Sequence, residues 1–372
     1  MKGWGKKVLH FWQQYSRPIN LVSLAAGFCF DLYLAKRPDS LPDNILLLSY
    51  LALSAVIITL LNVRSRRAME RESPTEPLLL LLVLQFCFGG LASNLLILYG
   101  HSGTIGGSLF FVALLAGFAL GNEFLKSRYA QLRFNIAVYY FLLLTYCVIA
   151  VPTFILHDIG WQAFLWSTAA SAGVMAIFLA ILLLSLSERD RVRNMYEIIG
   201  IVLGTLCVFN LLYWGNIIPP VPLSLKNIGV YHSLAALPQP DTSGAIYAAS
   251  YEPSLWYIFW RDTSATYTFA PSDSRRAYCF SAVFAPGGLS TPIEHRWEEY
   301  DTTAKKWQTV SLVSFPINGG RTEGYRGYSV EENLSPGQWR CDVETDKGQL
   351  IGRISFDVVQ SSATPALSTT AL

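Results

Sequence analysis

Six stretches of this chain run for about 20 residues or more without a charged side chain: Asn44–Val63, Pro77–Gly100, Ser102–Asn122, Phe134–Leu156, Ile159–Ser187 and Ile198–Leu225. An uncharged apolar run of that length is what a helix needs to cross the hydrocarbon of a bilayer, where no water can satisfy a free backbone group. The last two are longer than a span requires and are trimmed by polar ends. A seventh, Pro18–Ala35, qualifies if Asp31 is tolerated near its far end, where a short carboxylate can reach the interface or a neighbouring helix. A composition of 52% hydrophobic and only 15% charged residues agrees, and it excludes a collagen, a disordered tail and a nucleic-acid binder. The expectation is a seven-helix transmembrane domain over residues 18–225.

Lys and Arg resist translocation, so short loops rich in them stay in the cytoplasm. The N-terminus (1–17) carries Lys2, Lys6, Lys7 and Arg17; the second loop Arg64, Arg66, Arg67 and Arg71; the fourth Lys126, Arg128 and Arg133; the sixth Arg189, Arg191 and Arg193. The alternate loops hold only Lys36 and Arg37. The N-terminus is therefore expected inside, and after seven spans the C-terminal region lies outside, which for a bacterial inner membrane is the periplasm. The rival reading, a cleaved signal peptide over the first stretch, is disfavoured because the run continues through Phe28, Phe30 and Asp31 without a clean small-x-small cut.

Past Asn227 the apolar runs shorten and alternate, and turn signals recur at β-sandwich spacing. Six strands are predicted: Arg276–Phe284, Pro292–Tyr300, Lys306–Phe315, Arg321–Val330, Gln338–Thr345 and Gln349–Val359. Asn318-Gly319-Gly320, Asp346-Lys347-Gly348 and Pro336-Gly337 supply the reversals. Residues 276–360 thus read as an all-β, immunoglobulin-like sandwich domain. Residues 226–275 read as a connecting segment with room for the first strands, its aromatic run Ser254–Trp260 suiting a strand or a headgroup contact, and the Ser/Thr-rich tail 361–372 as disordered.

Cys29, Cys87, Cys147 and Cys207 fall within spans, whereas Cys279 and Cys341 fall in the outer domain, each inside a predicted strand with Trp297 between them in sequence. That follows the Cys, Trp, Cys order of immunoglobulin-like domains. A bridge between the two and a pair of unbonded core cysteines both fit, because spacing says nothing about the distance between their Cα atoms.

A set of short motifs then stands out: Ile293-Glu294-His295-Arg296-Trp297, Gly319-Gly320-Arg321, Gly324-Tyr325-Arg326-Gly327-Tyr328-Ser329, Pro336-Gly337-Gln338-Trp339-Arg340, and Gly348 to Phe356. Over residues 275–359 the chain resembles the bacterial family catalogued as domain of unknown function 2914. The membrane half is similar, more weakly, to the region accompanying that domain in some members, through Phe30-Asp31, Asp43-Asn44, Phe88-Gly89-Gly90, Ser93, Tyr99, Ser102 and Asn122-Glu123. The resemblance implies an architecture, a polytopic anchor ending in an extracytoplasmic β-domain, and brings no catalytic residue with it. Cys341 stands where an aliphatic strand residue would be expected from the family.

His295 and Trp297 share one strand face, with Glu294 and Arg296 on the other. Either that face is core, with His295 in a buried hydrogen bond, or it is an outward surface that stacks on a sugar or peptide assisted by Arg321 and Arg326. A lone strand histidine without a second at ligand spacing is a poor zinc site, so no metal and no cofactor is expected. The glycines of 319–327 lack the phosphate-loop order and read as turn glycines. Within the membrane, Asp31, Gln85, Asn94 and Glu123 are the polar candidates.

Together these readings predict a non-enzymatic envelope protein in which seven helices hold a periplasmic β-sandwich that binds a protein, glycan or lipid-linked partner and no nucleic acid. A transporter or channel gated by the outer domain, or a membrane-embedded lipid-modifying enzyme using Asp31, Asp43 and Glu123, are the alternatives.

Overall fold

The computed structural model describes residues 37–70, 78–102, 109–121, 131–184, 188–237, 246–254, 261–270 and 275–372. Among them are six α-helices: α1 (Leu41–Glu70), α2 (Leu78–Ser102), α3 (Leu109–Gly121), α4 (Leu132–Val151, continued by a π-turn over Pro152–Leu156), α5 (Trp161–Leu184) and α6 (Glu188–Trp214). Five contain segments long and apolar enough to cross a membrane: Leu41–Arg64, Leu79–Gly100, Leu132–Leu156, Trp161–Leu184 and Met195–Trp214.

These helices are apolar all round. Leu48, Val56, Phe86, Ile177 and Leu203 are exposed while Leu47, Leu84, Leu142 and Leu182 are buried, the distribution that suits a solvent of lipid rather than water. Helix α4 is buried along nearly its whole length. The phenol of Tyr99 on α2 donates to the carbonyl of Thr145 on α4 at 2.9 Å. The hydroxyls of Thr145 and Ser167 donate to carbonyls four residues back, which satisfies them without a partner helix.

Seven spans are not what the described residues hold. The Pro18–Ala35 stretch, with Asp31, lies outside them; the Ser102–Asn122 run gives only the 13-residue α3, and Glu123 again lies outside. The Ile198–Leu225 run does not continue as helix to its end. It stops at Trp214, where Asn216 adopts a positive φ of 53°, and Pro219-Pro220, which lack backbone donors, separate it from a strand that begins at Ser224.

The C-terminal region is β-rich, with β1 (Ser224–Tyr231), β2 (Ser233–Leu237), β3 (Ile246–Tyr251), β4 (Thr266–Phe269), β5 (Ala277–Phe284), β6 (Ser290–Asp301), β7 (Lys306–Asn318), β8 (Tyr325–Glu331), β9 (Gly337–Thr345), β10 (Leu350–Gln360) and β11 (Ser368–Ala371). The six strands predicted from 276 onward are β5 to β10, with ends shifted by up to a few residues. With β1 and β4 they form a three-stranded sheet β1-β5-β8 and a five-stranded sheet β4-β10-β9-β6-β7; a third sheet has the order β11-β3-β2. Alternation does the sorting: inward Ile293, His295 and Trp297 of β6 are buried, and so are Cys341 and Val343 of β9. One core cluster joins Val230, Ala277 and Cys279 of the three-stranded sheet to Trp297, Trp339, Cys341, Ile354 and Phe356 of the five-stranded one.

Residues 226–275 supply most of β1 and all of β2 to β4, the first strands of this region, although 255–260 of the aromatic run lie outside the described residues. The tail is not disordered along its length: Ser368–Ala371 pairs antiparallel with Ala248–Tyr251. A polar strand with little apolar surface is held there by its backbone hydrogen bonds to a sheet edge, a term that composition does not register.

Two compact units emerge from the chain, and the β-rich one includes Pro152–Gln162, the connection between α4 and α5. Ile159 packs on its second core cluster, formed by Leu223, Val283, Leu289, Ile293, Val343 and Ile351.

Candidate functional site

His295 points from β6 into the space between the two larger sheets and is wholly buried, as is Trp297. The imidazole Nε2 lies 2.8 Å from Ser281 Oγ of β5, and Nδ1 lies 2.9 Å from Ser329 Oγ of β8. The indole of Trp297 donates to the same Ser329 oxygen at 2.9 Å. Beside them Cys279 and Cys341 form a disulfide with Cα atoms 6.5 Å apart, tying β5 to β9 and so one sheet to the other. Burial pushes the His295 pKa down to about 4, so the ring is neutral, donates through one nitrogen and accepts through the other.

This geometry removes His295 and Trp297 from the candidate binding surface. Ligand cannot reach side chains with no exposed area, and their polar atoms are already paired inside the core. Cys279, His295 and Cys341 do bring one nitrogen and two sulfurs within 4.8 Å of one another, a convergence across three strands that linear spacing hides. Both sulfurs are committed to the bridge, and a disulfide offers no thiolate for a metal.

The motif glycines are accounted for by packing. A Cβ on Gly319 would sit 1.8 Å from the Pro286 carbonyl oxygen, and one on Gly327 would sit 2.3 Å from the Phe315 ring. Gly324, at φ +82°, is pressed against the backbone of Val283. Each of the three lets one strand or turn approach another.

On the outward face of β6, β9 and β10 the charges pair. Arg296 binds Glu344 at 2.9 Å, Arg340 binds Glu298, and Arg353 holds Asp342 with two nitrogens. Arg340 also lies over the Trp307 ring at 4.4 Å. That face is a self-neutralised lattice.

The remaining two candidates lie elsewhere. Arg321 sits on the turn before β8, its guanidinium 5.1 Å from the centre of the Tyr325 ring. Arg326 shares the outward face of β8 with Tyr328 two residues on. Tyr328, 40% exposed, has its ring 5.4 Å from Tyr247 of β3 and 6.0 Å from Tyr278 of β5. Burial holds the Tyr247 phenol above its usual pKa, with neighbouring Tyr328 and Tyr325 adding to the rise and the Arg326 charge opposing it. Beneath, Tyr231, Ala249, Phe280 and Ala282 are buried, with Tyr247, Tyr251, Tyr278 and Leu372 packed half-buried around them.

The arrangement is an aromatic face with Arg326 beside it, bordered by the β3 edge on which β11 lies. Arg326 is the one sequence candidate it retains; Tyr247, Tyr251, Tyr278 and Tyr328 were missed. The alternation of Tyr247, Ala249 and Tyr251 on one strand face was the available signal.

Nearby, His232 stacks on Tyr267 with ring centres 4.1 Å apart, and its Nε2 lies 3.0 Å from Glu252. Burial favours the neutral Glu252 carboxyl, but hydrogen bonds from His232 and Thr268 outweigh it and leave the pKa below the usual value. The carboxylate thereby fastens the end of β3 to β4.

In the helices, the Asn94 amide donates to the Gly90 carbonyl at 2.8 Å, and Gln85 is half-buried on α2. Gly90 is a close-approach position, since a Cβ there would meet the Tyr50 ring at 2.7 Å. Asp31 and Glu123 lie outside the described residues.

No curated protein matches the chain. Among solved structures, the alkylpurine DNA glycosylase AlkC of Pseudomonas fluorescens, bound to DNA containing an abasic site analog, aligns over 87% of this chain and 99% of its own at 10% identity and a TM-score of 0.18. Similarity of that degree carries no argument. Residues 290–358, which run from β6 into β10 and hold His295, Trp297, the glycine turns, Arg326 and Cys341, match the model of the family described as "Protein of unknown function (DUF2914)".

Proposed function

We propose that this chain is a multi-pass protein of the bacterial inner membrane whose C-terminal region is a periplasmic, immunoglobulin-like module that binds a partner and performs no chemistry. The observation that carries the reading is the Cys279–Cys341 bridge in the core of the β-rich unit. Disulfides form and persist in oxidising compartments and are rare in the cytosol. Cys87, Cys147 and Cys207, on the helices, are free. A bridge between the two larger sheets with Trp297 packed in the same cluster also supports the immunoglobulin-like description.

Two further observations agree on sidedness. The α4–α5 connection Pro152–Gln162 belongs to the β-rich unit and carries no Lys or Arg. In the sequence, the start of α4 is flanked by Lys126, Arg128 and Arg133, and the end of α5 is followed by Arg189, Arg191 and Arg193 in the first turns of α6, the basic pattern expected of cytoplasmic ends. Binding is favoured over catalysis because the nucleophile–base set of Ser281, His295 and Ser329 is sealed inside the core, while Tyr328 is exposed with half-buried Tyr247, Tyr278 and Arg326 around it. Among the described residues the polar candidate Asn94 donates within its own helix rather than toward a cavity partner.

The test is protease access. In spheroplasts with intact inner membranes, added protease should attack the β-rich region from outside, and alkylation before and after reduction should show Cys279 and Cys341 oxidised in protein taken from cells. Protection until the membrane is lysed, together with free thiols at both positions, would sink the proposal.

A further inference from the structure

The third sheet is completed by a strand that contributes little except backbone. Strand β11 is Ser-Thr-Thr-Ala, joined to β10 by residues 361–367, which form no regular structure and are mostly exposed. Its pairing is antiparallel, Ser368 opposite Tyr251, Thr370 opposite Ala249 and Ala371 opposite Ala248, and it ends in a reciprocal pair of hydrogen bonds between Leu372 and Tyr247 at 2.9 and 3.1 Å. Exposure alternates accordingly: Thr369 and Ala371 face outward, while Ser368, Thr370 and Leu372 face inward and are half-buried. Among the described residues, Leu372 is the part of this segment that packs on the cluster of Tyr231, Ala249, Phe280 and Ala282. A strand held by main-chain bonds and one aliphatic anchor belongs to the least stable part of a fold.

The position it occupies is the edge of β3, since the sheet order β11-β3-β2 leaves β3 unpaired on that side once β11 departs. That edge borders the tyrosine face of Tyr247, Tyr278 and Tyr328. We propose that the β3 edge is a strand-acceptor site for an extended polypeptide partner, and that β11 is a displaceable internal occupant that keeps it closed. The partner is an uncharged segment with small or hydroxyl side chains at alternate positions and an aliphatic residue at the place Leu372 takes opposite Tyr247, because that is the chemistry β11 and Leu372 present to Tyr251, Ala249 and Tyr247. Main-chain pairing would give the affinity, and the aliphatic pocket the register.

This rests on the reading of the region as a binding module and names its partner class. The two fail separately, because strand capture in detergent does not depend on which side of the membrane the domain occupies.

The experiment uses the full chain in detergent and a fluorescent synthetic peptide of residues 366–372. A short tether presents β11 at an effective concentration on the order of 1 mM, so a peptide near 0.1 mM competes roughly tenfold worse than the resident strand. Wild-type protein should therefore capture little peptide. Thr370→Pro, which deletes a ladder donor from β11 alone, should raise apparent affinity by about tenfold or more. Hydrogen exchange read in the same samples should show the Tyr247, Ala249 and Tyr251 amides exposed by Thr370→Pro and protected again by peptide, with β6 and β9 unchanged. A second variant, Leu372→Asp, should release the strand by removing the anchor. Equal peptide capture by wild type and both variants, or peptide binding that leaves the β3 amides unprotected, would overturn the proposal. Loss of protection in β6 and β9 together with β3 would overturn the claim that β11 leaves independently.

Discussion

Acid should loosen the β-rich region at His295, above the range in which its carboxylates titrate. The ring is sealed between the sheets against Ser281, Ser329 and Phe315, whose ring centre lies 4.9 Å away, and its pKa is pushed from 6.5 to about 4. The folded state therefore binds a proton less readily than the unfolded one. Stability is flat above about pH 6.5, declines as the pH falls below it because only the unfolded chain takes up the proton, and levels off near pH 4. At about pH 4.5 these two pKa values give a loss on the order of 2.5 kcal/mol, a large fraction of the ~5–15 kcal/mol that holds a domain together.

The assay is urea unfolding of the full chain in detergent with the disulfide intact, read by a short protease pulse at neutral pH, comparing wild type with His295→Gln at about pH 7 and about pH 4.5. Glutamine can keep one bond to each serine and does not titrate in this range. With a urea slope of roughly 1–3 kcal/mol per molar, the wild-type midpoint should fall by about 1–2 M more than that of the variant. Parallel pH dependence in the two proteins would refute the reasoning, since it would mean that the imidazole is protonated in the folded state at a normal pKa.

Three further outcomes follow from the same contacts. Removing the bridge with Cys279→Ser and Cys341→Ser should cost about 2–5 kcal/mol and show as a lower midpoint in the same proteolysis assay. Arg353→Gln leaves the Asp342 carboxylate, 2% exposed, with the more distant Arg340 at 3.9 Å as its remaining ion-pair partner among the described residues; because Arg353 is itself a third exposed, the loss should be about 1–3 kcal/mol, read as a lower midpoint in that assay. Gly319→Ala should cost about 3 kcal/mol or more, since its methyl would have to displace the Pro286 carbonyl, whereas Gly287→Ala, with only the Gly320 Cα at 4.0 Å, should stay within about 0.5 kcal/mol.

Sequence alone determined the features that depend on local pattern and solvent. Uncharged runs mark the helices because a span must satisfy its own backbone, and Asn44–Val63 or Phe134–Leu156 carry that signal without reference to any neighbour. The strands β5 to β10 were legible because one face of each is buried and the glycines of their turns sit where the chain reverses. The Ile198–Leu225 run misled at its end for the same reason that it worked at its start: hydropathy does not distinguish a lipid-facing helix from the apolar lead-in to a buried strand, and Leu223 is in fact β-core.

Tertiary structure decided everything that rests on which surfaces meet. Whether the face carrying His295 and Trp297 was core or binding surface could not follow from alternation, because period two gives two faces and not which of them is covered. The meeting of Cys279, Cys341 and His295 joins residues up to 62 positions apart on β5, β6 and β9, set by strand order rather than spacing. The tail read as disordered because its side chains bring little apolar burial; it pairs because β3 offers an open row of backbone donors and acceptors, and an edge exists only once the sheet has formed.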